Sequence, residues 1–271
     1  MKFIDSLKVA TKEFIRNFED DKDKVQPPYG NQYNSRTSQK TSNTIANLIM
    51  QTDNDIFENI KIFDQKRRIK FPHAFSADWI DMLYLIGVLK LTTPKKIVEL
   101  GSGVSTCAIA SVLSKLNYKS EFISLDDSKE WGDLTDSLIN SLISFQNCTY
   151  KQVISPVKKY KVNNIDTLGY EHYPQGFWDF ILIDGPPLDK ANCSLDPIRS
   201  NSITDQTIIQ IDGRNYNVKY LSECLKVSKD SDWKRYRFAY PCDDTIFINV
   251  KNRNFSEFLS LFKGSLNDSL L

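Results

Sequence analysis

An acid and two glycines end the first of several short apolar runs in the chain. In KKIVELGSGVST (95–106), Glu99 stands two positions before Gly101, and Gly103 follows. A glycine at such a turn permits positive φ and removes the side chain that would hold a ligand away from the backbone, while the amides that open the next helix supply hydrogen-bond donors. A lone GxG also occurs in tight strand-to-helix turns that bind nothing, so the neighbouring residues must decide between the two.

The next apolar run, EFISL, ends in Asp126 and Asp127. The first of these acids is expected at the tip of a neighbouring strand, where its carboxylate can accept hydrogen bonds from both hydroxyls of a ribose. Asp127 could instead cap the following helix, and Ser128 is an equal candidate for that cap. Trp131 could cover an adenine, although a tryptophan at this position also packs in ordinary cores.

A third apolar run, WDFILI, ends in Asp184 and is followed by Gly185 and two prolines. An aspartate before glycine and proline can simply initiate a turn. It can also present a carboxylate at the carboxyl end of a central strand, the edge at which open α/β sheets bind ligands. Three strand ends of the same character favour the ligand interpretation.

The motifs ELGSG, SLDD and IDGPP occur in this order between residues 95 and 250, and together they resemble the class I S-adenosylmethionine-dependent methyltransferases. A dinucleotide-binding fingerprint would have a third glycine where this chain has Thr106. The form ELGSGVST with IDGPP is similar to a branch of the family, many of whose members modify glycans or natural products. The resemblance therefore implies an enzyme that takes a methyl group from S-adenosylmethionine.

The resemblance also implies roles for individual residues. The glycine turn and its acid would hold the amino-acid end of the cofactor, the acids after EFISL would hold its ribose, and Asp184 would face the sulfonium and the acceptor. The implied cofactor-binding residues are Glu99, Gly101, Ser102, Gly103, Asp126, Asp127 and Asp184.

Methyl transfer to an oxygen requires that the acceptor lose a proton, either to a base or with the help of a metal ion. Some small-molecule O-methyltransferases hold a divalent ion with acids after the fourth and fifth strands, and the corresponding residues here are Asp184 and Asp212. Gly213 occupies the place of a third ligand, with Asn215 a further oxygen donor, whereas hard cations prefer several oxygen ligands. A divalent metal is one possibility, and catalysis by Asp184 or Asp212 without a metal is the other.

The chain has two histidines, His73 in FPHAFS and His172 in YEHYPQGF. A histidine can act as a base near neutral pH; His172 is the favoured catalytic residue, and His73 is expected beside the acceptor. Arg199 and Arg214 follow strand ends and could bind an anionic acceptor, such as a uronic acid or a phosphate, through a bidentate guanidinium. Structural histidines and surface salt bridges are the alternative explanation.

The elements that must position these residues alternate after Lys96. Short apolar runs followed by helical patterns predict a Rossmann-like α/β domain with a doubly wound, mostly parallel sheet. The turn between 233–240 and 244–250 is too short for a crossover helix, so these two strands must form a C-terminal antiparallel hairpin, whereas the stretch from 155 to 177 is expected to be irregular. The other predicted strands are 97–100, 121–125, 149–154, 178–184 and 206–212, with helices at 104–116, 130–145 and 215–227.

Residues 1–75 are predicted to form a helical appendage to an S-adenosylmethionine-binding domain at 76–271. The spacing of apolar residues predicts helices at the N-terminus, at 44–63 and at 76–91. The polar segment 20–43 contains prolines and a glycine and has no apolar period, which is typical of a linker.

Composition excludes several classes of function. The 271 residues include 35 basic and 34 acidic ones, and the net charge of +1 gives no field that would attract nucleic acid. The basic run Lys66, Arg67, Arg68 and Lys70 is expected to be a solvated face. Five cysteines without CxxC spacing indicate neither a zinc site nor disulfides, which fits a cytoplasmic protein. No transmembrane segment and no signal peptide are expected.

The expected function is O-methylation of a small molecule or of a sugar or glycan hydroxyl, with S-adenosylmethionine as the cofactor. A non-catalytic partner subunit that binds the cofactor is one alternative, because the acid pair after the fifth strand is incomplete. A nucleotide-binding Rossmann protein is the other. Nothing in the sequence indicates the oligomeric state, and the acceptor depends on the segments 64–76, 155–177 and 186–204.

Overall fold

The computed structural model of the chain leaves parts of the N-terminal region and several loops undescribed. The predicted N-terminal helix, the linker at 20–43 and the first part of the predicted helix at 44–63 lie outside the described residues, as do all side chains after residue 260. The described ranges are 53–74, 78–186, 193–238, 244–262 and 266–268.

Helices and strands alternate along the described chain. The helices are α1 (Asn54–Lys70), α2 (Trp79–Thr92), α3 (Val104–Ser114), α4 (Lys129–Leu142), α5 (Asp196–Arg199), α6 (Asn215–Cys224) and α7 (Phe255–Phe262). The strands are β1 (Lys96–Leu100), β2 (Ser120–Asp126), β3 (Cys148–Ile154), β4 (Val157–Val162), β5 (Ile165–Tyr170), β6 (Phe180–Ile183), β7 (Ile208–Ile211), β8 (Trp233–Phe238), β9 (Thr245–Asn249) and β10 (Leu266–Asp268).

Within the described residues, one sheet has eight strands in the order β10-β8-β9-β7-β6-β1-β2-β3. The strands from β3 to β7 in this order pair in parallel, whereas β9 is antiparallel to both β7 and β8. The chain leaves β1 toward β2 and β3 on one side and returns to β6 and β7 on the other. This reversal is a topological switch point, at which ligands bind beyond the carboxyl ends of the strands. The predicted Rossmann-like fold and its antiparallel hairpin are confirmed.

Each face of the sheet has its own apolar core. Successive residues of a strand point to opposite faces. Ile97 of β1 belongs to the core formed with α1 to α4, whereas Val98 and Leu100 belong to the core formed with the β4–β5 hairpin and α6. Burial on both faces explains why these strands appear in the sequence as continuous apolar runs.

The stretch between β3 and β6, which was expected from the sequence to be irregular, contains an antiparallel hairpin of β4 and β5. Its turn is formed by Asn163 and Asn164, with φ of 49° and 66°. Asparagine tolerates the left-handed region, and two such residues in succession are typical of the type I′ turn that joins short hairpins. The hairpin packs its apolar side on the sheet through Val162 and Tyr170.

Two helices precede the sheet in the described chain. The carboxylate of Asp78 caps α2 by accepting a hydrogen bond of 3.1 Å from the amide of Ile80. Helix α1 buries Ile56, Ile60 and Phe63 in the same core as α2 to α4. In the described part of the chain, none of the helices has the length and apolar character needed to cross a bilayer.

Candidate cofactor and acceptor site

The ends of β1 and β6 meet through two glycines. Gly101 has φ of 91°, and a Cβ added to it would lie 2.7 Å from the amide nitrogen of Gly185. A Cβ added to Gly185 would lie 2.5 Å from both the Gly101 nitrogen and the Tyr170 hydroxyl oxygen. The close approach of two backbones at the switch point therefore requires glycine at both positions, apart from any ligand.

Glu99 is fully buried on the α3 side of β1, and its carboxylate is enclosed by hydroxyl donors. Oε1 accepts a hydrogen bond of 2.5 Å from Ser105, and Oε2 accepts bonds of 2.6 Å from Thr106 and 2.7 Å from Ser124. Burial raises the pKa of Glu99 to about 7, although the three hydroxyls oppose the rise. In the structure the acid ties β1, α3 and β2 together, and direct contact with a cofactor stays a prediction.

Asp126 ends β2 and fixes the glycine turn of the neighbouring strand. Its Oδ2 accepts hydrogen bonds from the amide and the hydroxyl of Ser102, at 2.9 and 2.8 Å, and its Oδ1 accepts one of 2.8 Å from the amide of Ser128. A carboxylate has about four lone-pair positions, so about one remains for a ligand hydroxyl. Asp127 is only partly buried beside it, and contact of these two acids with a ribose stays a prediction.

Aromatic side chains cover the same turn from the α1 side. The indole Nε1 of Trp131 donates a hydrogen bond of 2.6 Å to the carbonyl of Ser102, and the Phe71 ring lies 4.9 Å from the Trp131 ring. Arg67 lies 5.2 Å above the same ring and is only 5% exposed. The expectation that the basic run forms a solvated face is therefore wrong for Arg67, although Lys66 is exposed.

Asp184 follows β6 and presents its carboxylate outward, with 44% of the side chain exposed. The guanidinium of Arg214 is buried beneath it and donates to the carbonyl oxygens of Asp184 and Pro186, the latter at 2.7 Å. Its Nη2 lies 3.8 Å from Asp184 Oδ1. Arg214 thus stabilises the loop that carries Asp184, and its predicted contact with an acceptor stays a prediction.

Arg199 makes its described contacts with the hairpin side of the molecule. Its guanidinium donates to the buried carboxylate of Asp196, at 2.6 and 3.0 Å, and to the carbonyl of Tyr170 at 2.9 Å, and it stacks 4.0 Å from the Tyr160 ring. Asp196 also accepts from the Tyr170 amide at 2.8 Å. These bonds connect α5 to β5, so any contact of Arg199 with an acceptor stays a prediction.

The two histidines lie on exposed segments. His172 follows β5, and its backbone amide donates a bond of 2.9 Å to the hydroxyl of Ser155 after β3. His73 lies after α1, two residues beyond Phe71, and is exposed. The roles of the two histidines as base or acceptor contact stay predictions.

A buried acid for which the sequence predicted no role lies near Asp212. Asp244, directly before β9, is 2% exposed, and its Oδ2 accepts a bond of 2.5 Å from the Gln210 side chain. Burial, followed by the charges of Asp212 and Asp81, raises the pKa of Asp244 well above its usual range. Asp244 stands at the start of a strand predicted from the sequence, but only the antiparallel pairing of that strand with β7 brings it to the edge that holds Asp212.

The acids at the carboxyl ends of β6 and β7 bear on the predicted metal site. Within the described ranges, no group of three or more histidine, cysteine, aspartate or glutamate side chains is arranged to hold a metal ion. Asp184 and Asp212 follow neighbouring parallel strands, but two carboxylates are fewer oxygen ligands than a hard cation prefers. A metal bound by Asp184 and Asp212 stays a prediction.

Comparison with known proteins supports the fold. Neither a family model nor a curated protein matches the sequence. The chain is similar to the structure of an O-methyltransferase from Bacillus cereus in complex with S-adenosylhomocysteine, at 14% identity and a TM-score of 0.52, over 77% of this chain and 96% of that one. It is also similar to a candidate caffeoyl-CoA O-methyltransferase from Staphylococcus aureus, at 11% identity and a TM-score of 0.51, over 77% and 98% of the two chains. The chain therefore has the Rossmann-like fold of class I S-adenosylmethionine-dependent methyltransferases.

Proposed function

We propose that the protein is an S-adenosylmethionine-dependent methyltransferase that methylates an oxygen of its acceptor. The observation that carries the proposal is the set of groups at the carboxyl ends of three adjacent parallel strands. A glycine turn follows β1, two acids follow β2, and the exposed carboxylate of Asp184 follows β6. This is the crevice in which a doubly wound sheet binds its ligand, and its acids suit a cofactor that carries hydroxyls and a sulfonium but no phosphate.

The residues at this edge have separate tasks in the proposed reaction. The partly buried Asp127 and the remaining acceptor position of Asp126 would take the ribose hydroxyls, and the turn from Gly101 to Gly103 would hold the other end. Bound S-adenosylmethionine supplies an electrophilic methyl group. Asp184, with nearly half of its side chain exposed, would accept the proton of the acceptor hydroxyl or orient it for in-line attack.

The acceptor class follows from the motif resemblance alone. The form ELGSGVST with IDGPP supports a sugar, glycan or natural-product hydroxyl as the acceptor. His172, Asp212 and the arginines remain proposed contributors to acceptor binding or deprotonation. If Asp184 and Asp212 bind a divalent ion, it would polarise the acceptor oxygen.

The test combines binding with turnover on the purified full chain. We expect S-adenosylhomocysteine to bind and to raise the melting temperature, NAD to bind more weakly, and S-adenosylhomocysteine to form when S-adenosylmethionine is incubated with a panel of hydroxylated acceptors. Tighter binding of NAD would favour a nucleotide-binding protein. Cofactor binding without product from any acceptor would favour a non-catalytic partner subunit.

A further inference from the structure

Arg67 places a buried cation at the turn that opens α3. Its Nη1 lies 3.5 Å from the position that a Cβ of Gly103 would occupy. The residue comes from the last turn of α1, outside the alternating strands and helices that carry the sequence motifs. Burial lowers the pKa of Arg67, whereas the neighbouring Asp64 raises it, and an arginine stays charged at neutral pH in either case.

The guanidinium is held in place from two sides. Asp64, one turn earlier on α1, forms an ion pair of 2.8 Å with Nη2, and the Trp131 ring lies 5.2 Å from the guanidinium carbon. Trp131 in turn bonds to the carbonyl of Ser102, in the same turn as Gly103. Arg67 and the glycine turn are therefore positioned by one shared set of contacts.

Charge differs in sign across the crevice. Arg67, the ion-pair partner of Asp64, contributes a positive charge beside Gly103, whereas Asp126 and Asp127 contribute negative charges at the end of β2. The proposed cofactor has a carboxylate at its amino-acid end and hydroxyl donors on its ribose. A cofactor whose ribose hydroxyls bond to the acids after β2 would direct its carboxylate toward Arg67.

We infer that Arg67 binds the carboxylate of the amino-acid end of the cofactor. A guanidinium carries five N–H donors in a fork, enough to bond Asp64 within the protein and a second carboxylate on a ligand. This inference rests on the proposed function, since it names a residue of the same site. It also makes α1 a part of the cofactor site.

The experiment compares two ligands that differ in the group concerned. S-adenosylhomocysteine has the amino-acid end, and 5′-methylthioadenosine lacks it. Calorimetric titration of Arg67→Gln is expected to show affinity for S-adenosylhomocysteine reduced by about 10- to 100-fold, the scale of a charge-assisted hydrogen bond, and affinity for methylthioadenosine within about twofold of the parent. Lys66→Gln removes the same charge from the exposed side of α1 and should leave both affinities unchanged.

A parent protein that binds neither ligand would overturn the proposed function itself. If the parent binds both, an unchanged affinity of Arg67→Gln for S-adenosylhomocysteine would overturn the inference, as would an equal loss for both ligands, which indicates general disruption of the site. Should Arg67→Gln fail to fold, Arg67→Lys keeps the charge without the fork and is expected to lose affinity selectively for S-adenosylhomocysteine by about three- to tenfold. An equal effect on both ligands in that variant would also contradict the assignment.

Discussion

Glu99 has a structural role in addition to the cofactor contact predicted from its place in the motif. Its carboxylate takes hydrogen bonds from Ser105 and Thr106 in the first turn of α3 and from Ser124 in β2. Thr106 also accepts a bond of 2.8 Å from the amide of Gly103. Through this chain of bonds, an acid inside the core fixes the conformation of a turn at the surface of the crevice.

The pKa of Glu99 predicts a pH dependence of stability. A folded-state pKa of about 7 lies above the ordinary value of 4.5, so the folded protein holds this proton more tightly. The resulting stabilisation is complete below about pH 4.5 and is lost as the pH rises through 7. Between pH 5 and 8 we expect the free energy of unfolding to fall by on the order of 3 kcal/mol more in the parent than in Glu99→Gln. Urea unfolding at several pH values measures both slopes, and parallel slopes would contradict the assignment.

Asp184 is expected to matter for turnover more than for folding. Its side chain is 44% exposed, and its carboxylate is not enclosed as that of Glu99 is. If it serves as the base, Asp184→Asn should lower turnover by roughly a hundredfold or more while the melting temperature and the cofactor affinity barely change. Asp230→Asn, in an exposed loop before β8, is the control for loss of one surface charge.

Treatment of the parent enzyme with EDTA separates a base from a metal ligand. Loss of parent activity in EDTA, restored by a divalent ion, would assign Asp184 to a metal site, and indifference to EDTA would assign it to proton transfer or orientation. A fully active Asp184→Asn enzyme would show that Asp184 is only a turn residue. The base would then have to be sought at His73, His172 or Asp212.

At the scale of elements, the ends of β1 and β6 approach each other closely. Gly101→Ala would combine a positive φ with a Cβ 2.7 Å from the Gly185 nitrogen. Gly176 also has positive φ, 119°, but a Cβ there would meet nothing within 4 Å, so Gly176→Ala isolates the backbone strain. We expect Gly101→Ala to lower the free energy of unfolding by about 1–3 kcal/mol more than Gly176→Ala does. Equal losses in chemical denaturation would show that the two strand ends can separate without cost.

The sequence was sufficient for the strands that end in the motifs. β1, β2 and β6 are buried on both faces, so each appears as a continuous apolar run, and the acids and glycines after them mark their ends. The β4–β5 hairpin was missed because β4 is half exposed and rich in lysine, although the pair Asn163-Asn164 is a turn signal that could have located the hairpin.

The burial of Arg67 could not be derived from local sequence. Four basic residues near the end of a helix are usually solvated, and only the packing of α1 across α3 and α4 turns one of them toward the glycine turn. Asp244 is a similar case, since its place beside Asp212 depends on the antiparallel pairing of β9 with β7. Both residues depend on long-range topology rather than on motif or period.

At the scale of the whole molecule, α1 is joined to the domain by an apolar core and by a charged group. Ile56, Ile60 and Phe63 are fully buried with residues of α2 to α4. Asp53, just before α1, forms ion pairs with Lys90 at the end of α2 and with Lys115 after α3. These contacts favour cooperative unfolding of α1 with the sheet, whereas a domain boundary at residue 75, as predicted from the sequence, would allow α1 to unfold separately.

Phe63 distinguishes these two possibilities, because it is fully buried at the contact between α1 and the rest of the core. If α1 unfolds together with the sheet, Phe63→Ala should lower the free energy of unfolding of the whole protein by about 3–5 kcal/mol in one transition, seen alike by far-ultraviolet circular dichroism and tryptophan fluorescence. Ile69→Ala, at a position 81% exposed on the same helix, should change it by less than about 0.5 kcal/mol. Two separate unfolding transitions, of which Phe63→Ala shifts only the one at lower denaturant concentration, would show that α1 is an appendage. Arg67 lies one turn beyond Phe63. That outcome would therefore also place Arg67, the residue proposed to bind the cofactor carboxylate, on a helix that can detach from the cofactor site.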